Sequence, residues 1–319
     1  MNKKKIAFII GVTGQDGAYL SSFLLKKNYQ VYGFTRSLNK NNLKKLTIMQ
    51  VVNKVKLIKY DENNSQTILK NIKKYKPLEI YYFSGQSSVG KSFKNPIETY
   101  SSNIDLLFYI LDFCKNNAKD ISIYNSCSTD CFGEHKKIFC DEKTEFKPQS
   151  PYAQSKAFSF WLIKYYREQF NVKSSNGILS NHESPLRNES FVLKKIINFA
   201  INHKNHKKKL LLGNTEIFRD WGWAPDYIEA IYKINNSKIK KDYVVGTGKM
   251  SSLDNIIKKI FKDFNININL IVKNDKNLLR AKEIKKIGCK IHKIKKDLNW
   301  KPKFSIDKII QKLIKNELY

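Results

Sequence analysis

The sequence lacks the paired cysteines that mark disulfide-rich domains and most structural zinc sites. Its five cysteines are odd in number, and none stands in a C-x-x-C pair. We therefore expect reduced thiols, as in cytoplasmic proteins, and no bound metal. At 319 residues the chain is long enough to bury a sizeable core without covalent cross-links.

Long apolar runs are also missing. No stretch approaches the roughly 18 apolar residues of a membrane-spanning helix, so we expect a soluble protein with no membrane partner. The N-terminal MNKKKIAFII resembles the basic and apolar regions of a signal peptide. Glycines interrupt it from Gly11 to Gly17 and no small-residue cleavage site follows, so we interpret the segment as a first β-strand.

Acidic residues are scarce, since 28 Asp and Glu stand against 59 Lys and Arg, a formal charge of +31. Such an excess often indicates nucleic-acid binding. Here it is nearly all lysine, scattered among Asn and Ile, and we predict no nucleic-acid partner. Arginine is rare, with only five residues. Because its planar fork binds phosphates in a way that lysine cannot replace, these five positions are the first candidates for a phosphate site.

The sequence does contain an alternation of apolar strands and helical patterns. Strand candidates lie at residues 5–10, 30–36, 55–60, 79–83, 121–125 and 173–179, with helical patterns at 65–75, 98–117 and 153–170. This order predicts an α/β fold with a doubly wound, Rossmann-like parallel sheet and ligands at the carboxyl ends of its strands. We place a dinucleotide-binding domain at residues 1–181, with a return segment near 219–235. A smaller α/β substrate-binding portion takes residues 182–319.

A G-x-x-G-x-x-G motif, made by Gly11, Gly14 and Gly17, follows the first strand and opens a helix. Glycines there let the backbone turn tightly and approach a pyrophosphate, which the free N–H groups of the helix N-terminus then hold. The strand before the motif and the helix after it are the context that dinucleotide binding requires.

The end of the second strand indicates which dinucleotide binds. It carries Thr35, Arg36 and Ser37 in place of the acidic residue that would bind a ribose 2′-hydroxyl. A cation flanked by small hydroxyls suits a 2′-phosphate, so we predict NADP rather than NAD. Asp61, after the third strand, is placed to reach the adenine.

Tyr152 and Lys156 lie in the segment SPYAQSK, and their spacing of four residues puts both on one face of a helix. An ammonium group beside a phenol lowers the pKa of the phenol. We therefore expect Lys156 to prepare Tyr152 for proton exchange with a substrate hydroxyl during hydride transfer. Pro151 supports a helix that begins here, since proline fits the first helical turn.

Several segments together resemble the GDP-mannose 4,6-dehydratases, which are extended short-chain dehydrogenases. They are GVTGQDGAYL, PYAQSK, NGILSNHESP, RDWG and, near residue 300, NWKP. The resemblance implies oxidation of the sugar at C4 with NADP, elimination of water across C5 and C6, and return of the hydride to C6. It implies that Tyr152 takes the proton of the 4-hydroxyl, while Lys156 tunes it and holds the nicotinamide ribose.

The family's catalytic triplet of Thr, Ser and Glu, aligned without a gap from Phe132 and Gly133, falls on residues 128–130. The resemblance then places Ser128 beside the developing C4 oxyanion. Asp130 takes the place of the glutamate that removes the C5 proton and helps the C6 hydroxyl to leave. A gapped alignment would instead match Thr129 and Asp130 to the Thr-Asp pair of other sugar-nucleotide dehydratases, with Cys131 at their next catalytic position.

The resemblance also implies two sets of binding residues and a homo-oligomer, a dimer or a tetramer. In addition to the glycines, Arg36, Asp61, Tyr152 and Lys156, the implied cofactor-binding residues are Gln15, Asp16, Gln86 and His182. The residues implied for the GDP-sugar are Asn181, Arg187, Lys195, Arg219, Arg280 and Glu283.

Other functions are compatible with the same scaffold. A GDP-sugar epimerase or 4-keto reductase would need Tyr152, Lys156 and NADP but no carboxylate at position 130. A nucleotide-sensing protein without catalysis would not need Tyr152 and Lys156. A heptose in place of mannose also stays open.

Overall fold

The computed structural model describes residues 4–62, 64–203, 209–276 and 278–319. Its centre is a parallel sheet of seven strands. In the order in which they lie side by side, the strands are β12 (Tyr243–Val245), β7 (Ser174–Leu179), β5 (Ser122–Ser128), β4 (Glu79–Tyr82), β1 (Ile6–Ile10), β2 (Gln30–Thr35) and β3 (Lys56–Lys59).

Both faces of this sheet are buried, which explains the unbroken apolar run of the first strand. Ala7 and Ile9 pack into one hydrophobic cluster, whereas Phe8 and Ile10 pack into the cluster on the opposite face. A parallel strand covered on both sides has no solvent-facing positions, so its sequence does not alternate. The predicted doubly wound α/β fold is confirmed.

Helices cover the two faces. On one face lie α1 (Gln15–Lys26), α2 (Lys40–Ile48), α8 (Ala224–Asn235) and α10 (His292–Leu298). On the other lie α3 (Gln66–Tyr75), α5 (Pro96–Asn117) and α6 (Pro151–Phe170), with the short α4 (Val89–Lys94) beside the last two. The chain runs outward from β1 in both directions, so a crevice opens between the carboxyl ends of β1 and β4.

A third hydrophobic cluster belongs to the substrate-side portion of the chain. It contains α7 (Val192–Asn202), α9 (Leu253–Asp263) and α11 (Ile306–Ile314). Short strands connect this portion to the rest: β6 (Phe139–Cys140), β8 (Asn181–Glu183), β9 (Leu210–Leu211), β10 (Phe218–Arg219), β11 (Trp221–Trp223), β13 (Ser251–Ser252), β14 (Ile271–Val272) and β15 (Lys286–Cys289). The pair β8 and β11 is parallel and places Asn181 opposite Trp221.

Two details differ from the sequence-based expectation. β5 continues to Ser128, because Cys127 and Ser128 pair with Ile178 and Leu179 of β7; polar residues had suggested an earlier end. The return segment that we place near residues 219–235 contains α8, which packs on the sheet, and a further strand, β12, joins the sheet after it. β12 has only three residues, too few to stand out in the sequence.

None of the helices in the described part of the chain combines the length and the apolarity that a bilayer crossing requires.

A buried ion pair fastens α6 to the edge of the sheet. Arg167 donates from Nη1 to Asp242 Oδ1 at 2.8 Å and from Nη2 to Oδ2 at 2.5 Å, and both side chains are nearly excluded from solvent. Asp242 Oδ1 also accepts from the backbone N and side-chain Nδ2 of Asn176 in β7. Arg167 therefore has a structural part, as expected for the one arginine that the resemblance does not place at the ligand.

We expect Arg167→Met to lower the free energy of unfolding by about 3 kcal/mol, because it leaves the buried Asp242 carboxylate without its main partner. The matched control is Lys173→Met, which breaks the exposed pair of Lys173 with Asp120. That change should leave the free energy of unfolding almost unchanged, because the pair is exposed to solvent. Urea unfolding of both variants gives the comparison, and equal losses would contradict the assignment.

Candidate active site

The glycine motif forms a tight turn between β1 and α1. Gly11 has a φ of +87°, and a Cβ there would lie 2.9 Å from the carbonyl carbon of Phe83. A Cβ on Gly17 would lie 2.5 Å from the carbonyl oxygen of Gly11. Gly14 caps α1 without any side-chain hydrogen bond. The first N–H groups of the helix therefore stay available to an anion, and the turn fits the pyrophosphate of a dinucleotide.

Asp16, in the first turn of α1, binds His182 of β8. His182 Nε2 lies 3.1 Å from both carboxylate oxygens, and its Nδ1 donates to the carbonyl of Ser180 at 2.8 Å. The imidazole also stacks on Tyr227, with the ring centres 4.8 Å apart. Burial alone would raise the pKa of Asp16, but the charge and hydrogen bond of His182 outweigh it and hold that pKa at about 2.

Ser128 and Asp130 stand where β5 ends. The Ser128 hydroxyl accepts a hydrogen bond from the backbone N–H of Asp130 at 3.2 Å, which caps a 3₁₀ turn over Thr129–Phe132. This cap turns the chain away from the sheet and leaves both side chains at the sheet's carboxyl edge. Both line the central cavity.

Tyr152 and Lys156 extend from the first turns of α6 toward the same edge. The helix begins at Pro151, and the Ser150 hydroxyl caps it by accepting from Ala153 N at 3.1 Å. Lys156 Nζ donates to the carbonyl of Ser126 at 3.0 Å. Burial lowers the pKa of Lys156.

The expectation that Lys156 lowers the pKa of Tyr152 is wrong for this structure. Burial raises the pKa of the Tyr152 phenol well above its ordinary value, and the negative charge of Asp130 raises it further. The hydrogen bond with Ser128 opposes both effects only in part. Lys156 is not among the main groups that set this pKa, and its ammonium group donates to the Ser126 carbonyl.

A group of charged side chains lies beside Asp130. Glu283 Oε1 accepts from Arg219 Nη2 at 2.9 Å and from Arg280 Nη1 at 3.1 Å. Burial lowers the pKa of Arg219, and the nearby Asp130 is the first charge that opposes this. Burial raises the pKa of Glu283, against the two arginines. The group therefore offers both guanidinium donors and a carboxylate to a ligand.

Two further cations line the cavity from the substrate-side portion. The Arg187 guanidinium stacks 3.8 Å from the ring centre of Phe191, and its Nε lies 3.8 Å from the buried carboxylate of Glu183. Lys195 Nζ donates to the carbonyl of Leu211 at 2.7 Å. Packing on both sides fixes the Arg187 fork in place before a ligand binds.

One cavity of about 580 Å³ joins these groups, a size typical of small-molecule sites. It runs from the glycine turn, past Tyr152, to Arg280. All sequence-predicted site residues line it except Gly11, Arg36 and Asp61; they are Gly14, Gln15, Asp16, Gly17, Gln86, Ser128, Asp130, Tyr152, Lys156, Asn181, His182, Arg187, Lys195, Arg219, Arg280 and Glu283.

Comparison with known proteins gives the family. The sequence profile of the family described as GDP-mannose 4,6 dehydratase matches residues 8–313. This chain belongs to that family. A GDP-mannose 4,6 dehydratase of Arabidopsis thaliana is 34% identical over 99% of this chain and 90% of its own length. The Drosophila melanogaster enzyme is 32% identical over 99% of this chain and 87% of its own length.

Solved structures confirm the fold. A dTDP-glucose 4,6-dehydratase from Bacillus anthracis, in complex with NAD, superposes with a TM-score of 0.85 at 19% identity and covers 98% of this chain and 96% of its own. A UDP-glucose 4-epimerase from Thermotoga maritima, with UDP-glucose, gives 0.86 at 17% identity and covers 98% of both chains. The fold and the glycine turn agree with a nicotinamide cofactor and a nucleotide-sugar substrate.

The three predicted residues outside the cavity lie along the carboxyl edges of β1, β2 and β3. Gly11 forms the base of the turn. Arg36 is exposed and pairs with Glu62, with Nη1 2.6 Å from Oε2. Asp61 is an exposed neighbour of Glu62. In this dehydratase-family chain the strand edge beyond the cavity is thus lined by Arg36 and two acidic residues.

Sequence reasoning missed several residues that line the cavity. Lys45 of α2 faces the Asp16 region, but nothing distinguishes it from the many other lysines. Phe191 and Trp221 reach the cavity from the substrate-side portion. Ser87 and Lys91 follow β4, and the rule that ligands bind at the carboxyl ends of strands would have found them.

We expect Asp16→Asn to lower the free energy of unfolding near pH 5 by about 2 kcal/mol, the value of a pKa lowered from 3.8 to about 2. Because the folded-state pKa is depressed, this stability is present above about pH 4 and is lost as the pH falls toward 2. The parent and the variant should therefore converge in acid. Urea unfolding across this range measures it, with Asp263→Asn, on the exposed end of α9, as the control. A difference that is the same at both ends of the range would contradict the ion pair.

Proposed function

We propose that this chain converts GDP-mannose to GDP-4-keto-6-deoxymannose by internal oxidation and reduction, with NADP as the cofactor. Membership of the GDP-mannose 4,6-dehydratase family supports the reaction. The observation that carries it is the position of Asp130. Its carboxylate lies in the same end of the cavity as Tyr152, close enough to raise the pKa of the phenol.

The chain's own residues account for the oxidation half of the reaction. When bound, the nicotinamide accepts a hydride from C4 and later returns it to C6. Tyr152 takes the proton of the 4-hydroxyl, and Ser128 holds the oxygen as it becomes a carbonyl. Lys156, buried beneath, donates to the Ser126 carbonyl on this side of the site. Tyr152 must be the phenolate when it takes this proton, so ligand binding has to offset the effect of burial on its pKa.

Asp130 accounts for the elimination. The new C4 carbonyl acidifies the C5 proton, which Asp130 removes, and the C6 hydroxyl leaves as water. Aspartate is one methylene shorter than the glutamate that the family resemblance implies. Its backbone is fixed by the 3₁₀ turn, so the substrate has to approach closely for the carboxylate to reach C5.

The GDP moiety extends away from the glycine turn in this proposal. Arg187, Lys195, Arg219 and Arg280 supply four cations to the diphosphate and base, Glu283 binds the ribose, and Asn181 contacts the sugar. Asn181, opposite Trp221 on β11, lines the same cavity as the catalytic residues and these cations.

A GDP-sugar epimerase or 4-keto reductase is less well supported. Either reaction uses Tyr152 and a nicotinamide, but neither needs a carboxylate that faces C5 and C6. The relatives that match nearly the whole chain are dehydratases.

We expect the parent protein, incubated with GDP-mannose and NADP, to yield a product lighter by one water in mass spectrometry. In Asp130→Asn the C4 oxidation should persist, visible as absorbance of the reduced cofactor, while water loss falls by about a hundredfold or more. The control Glu134→Gln removes an exposed carboxylate next to the same strand end and should stay within about twofold of the parent.

Two outcomes would contradict the assignment. One is an Asp130→Asn variant that dehydrates GDP-mannose as fast as the parent; the other is a parent that releases no water from any GDP-hexose. Asp130→Glu tests the reach of the side chain separately, since a faster elimination would show that the shorter carboxylate limits the rate.

The proposal also specifies NADP rather than NAD, and Arg36 supports this choice. The residue stands at the end of β2, where the adenosine 2′-position of a bound dinucleotide lies in this fold. Its exposed pair with Glu62 is weak by nature. A 2′-phosphate can therefore replace the Glu62 carboxylate as the partner of the guanidinium.

We expect Arg36→Ala to weaken NADP binding by about tenfold and to change NAD binding little, because only NADP offers a phosphate to the guanidinium. Glu62→Gln should do the opposite and tighten NADP binding severalfold, because it releases Arg36 and removes a negative charge. Isothermal titration with both dinucleotides measures the ratio. An unchanged ratio in both variants would remove this pair from the cofactor site.

The exposed apolar surface of two helices favours a second copy of the chain as the partner. α5 and α6 pack side by side and expose large apolar side chains, at Ile97, Phe108, Tyr109, Phe158, Trp161 and Tyr165. Residues 158, 161 and 165 form one stripe along α6, and an apolar patch of this kind commonly marks a protein interface. We infer a homo-oligomer that pairs through these two helices. Light scattering that finds only monomers would contradict it.

A further inference from the structure

This inference rests on the proposed function. After elimination in that reaction, Asp130 lacks the proton that C5 still has to receive. Asp130 takes the C5 proton and gives a proton to the departing C6 hydroxyl, so it ends the elimination as a bare carboxylate. Hydride return to C6 must then be balanced by a proton at C5. Tyr152 holds the proton of the former 4-hydroxyl. The reaction balances when Tyr152 releases this proton to solvent and C5 receives one proton from solvent.

A small crevice reaches Asp130 from outside the main cavity. It has a volume of about 10 Å³ and is lined by Asp130, Gln149, Ala153, Arg280, Lys282 and Glu283, among others. Asp130, Arg280 and Glu283 line the main cavity as well. Arg280 and Lys282 are exposed, so the crevice reaches from Asp130 toward the surface.

Gln149 supplies the polar group that such a crevice needs. Its Oε1 is fully buried, and no hydrogen-bond partner for it exists among the described residues. The neighbouring hydroxyl of Ser150 already caps α6. A buried amide oxygen without a partner is destabilising, and a bound water molecule removes that cost.

The charges and the size of the crevice select water over an ion. Two carboxylates, Asp130 and Glu283, are balanced by Arg280 and Lys282, so no net charge attracts an anion or a cation. The volume is close to the smallest, about 10 Å³, that holds one water molecule. Gln149 and the two carboxylates give that molecule several polar partners.

We propose that Gln149 holds a water molecule against Asp130 in this crevice, and that this water restores the proton which Asp130 delivers to C5. The water gives one proton to the Asp130 carboxylate and receives one from solvent at the rim formed by Lys282. Asp130 then passes its proton to C5 as the hydride arrives at C6. Gln149 is a positioning residue, because it touches the water and not the sugar.

The test compares Gln149→Met, which keeps the length of the side chain but removes its polar atoms, with Gln149→Asn and with Gln311→Met. Gln311 is exposed on α11 and serves as the matched control. Each protein is mixed with GDP-mannose and NADP in a stopped-flow instrument. The reduced cofactor, the water loss, and kcat and KM in H₂O and D₂O are all measured.

For Gln149→Met we expect kcat to fall about tenfold while KM stays within about twofold, because binding and oxidation do not use the water. Reduced cofactor should accumulate during turnover, since elimination proceeds and the return step waits for a proton. The solvent isotope effect on kcat should increase. Gln149→Asn should recover most of the rate, and Gln311→Met should match the parent.

Two results would overturn the proposal. In one, Gln149→Met turns over like the parent without accumulation of reduced cofactor. In the other, oxidation, KM and kcat all deteriorate together in both Gln149 variants, which indicates a structural role. If Gln149→Met does not fold, a crystal structure of the parent decides, because an ordered water between Gln149 Oε1 and Asp130 is required. A parent that does not dehydrate GDP-mannose would instead refute the function itself.

Discussion

The first turn of α1 is the point on which the site depends. Its backbone N–H groups face the pyrophosphate position, while its side chains hold the strand that begins the substrate side. Gln15 Nε2 donates to the carbonyl of His182 at 3.2 Å, and Gln15 Oε1 accepts from the Ser184 hydroxyl at 2.8 Å. Asp16 completes the contact through the imidazole. One helical turn thus links the proposed cofactor position to the proposed substrate side.

The sequence predicted the features that depend only on a local pattern of residues. The unbroken run before Gly11 predicts a strand covered on both faces, and the glycines predict the turn that follows it. The spacing of Tyr152 and Lys156 places both on one helical face. These features follow from neighbouring residues alone, and the structure brings them together at one edge of the sheet as the topology requires.

The rest depended on contacts between distant parts of the chain. The spacing placed Lys156 near Tyr152. It could not reveal that Lys156 donates to the Ser126 carbonyl, or that the charge of Asp130 raises the pKa of the Tyr152 phenol. The partners of Arg36 and Arg219 were equally hidden, since each binds a glutamate remote in sequence. Electrostatic surroundings are a property of the folded site and have no signature in a single sequence.

The course of the chain after β7 limits how this enzyme can admit its ligands. The chain leaves the central sheet at β8, returns through β11 and α8 to β12, and leaves again at β13. Because several backbone segments join the two portions, rotation about a single hinge would strain the others. Any rotation of the substrate-side portion against the central sheet must therefore be shared among all of these crossings.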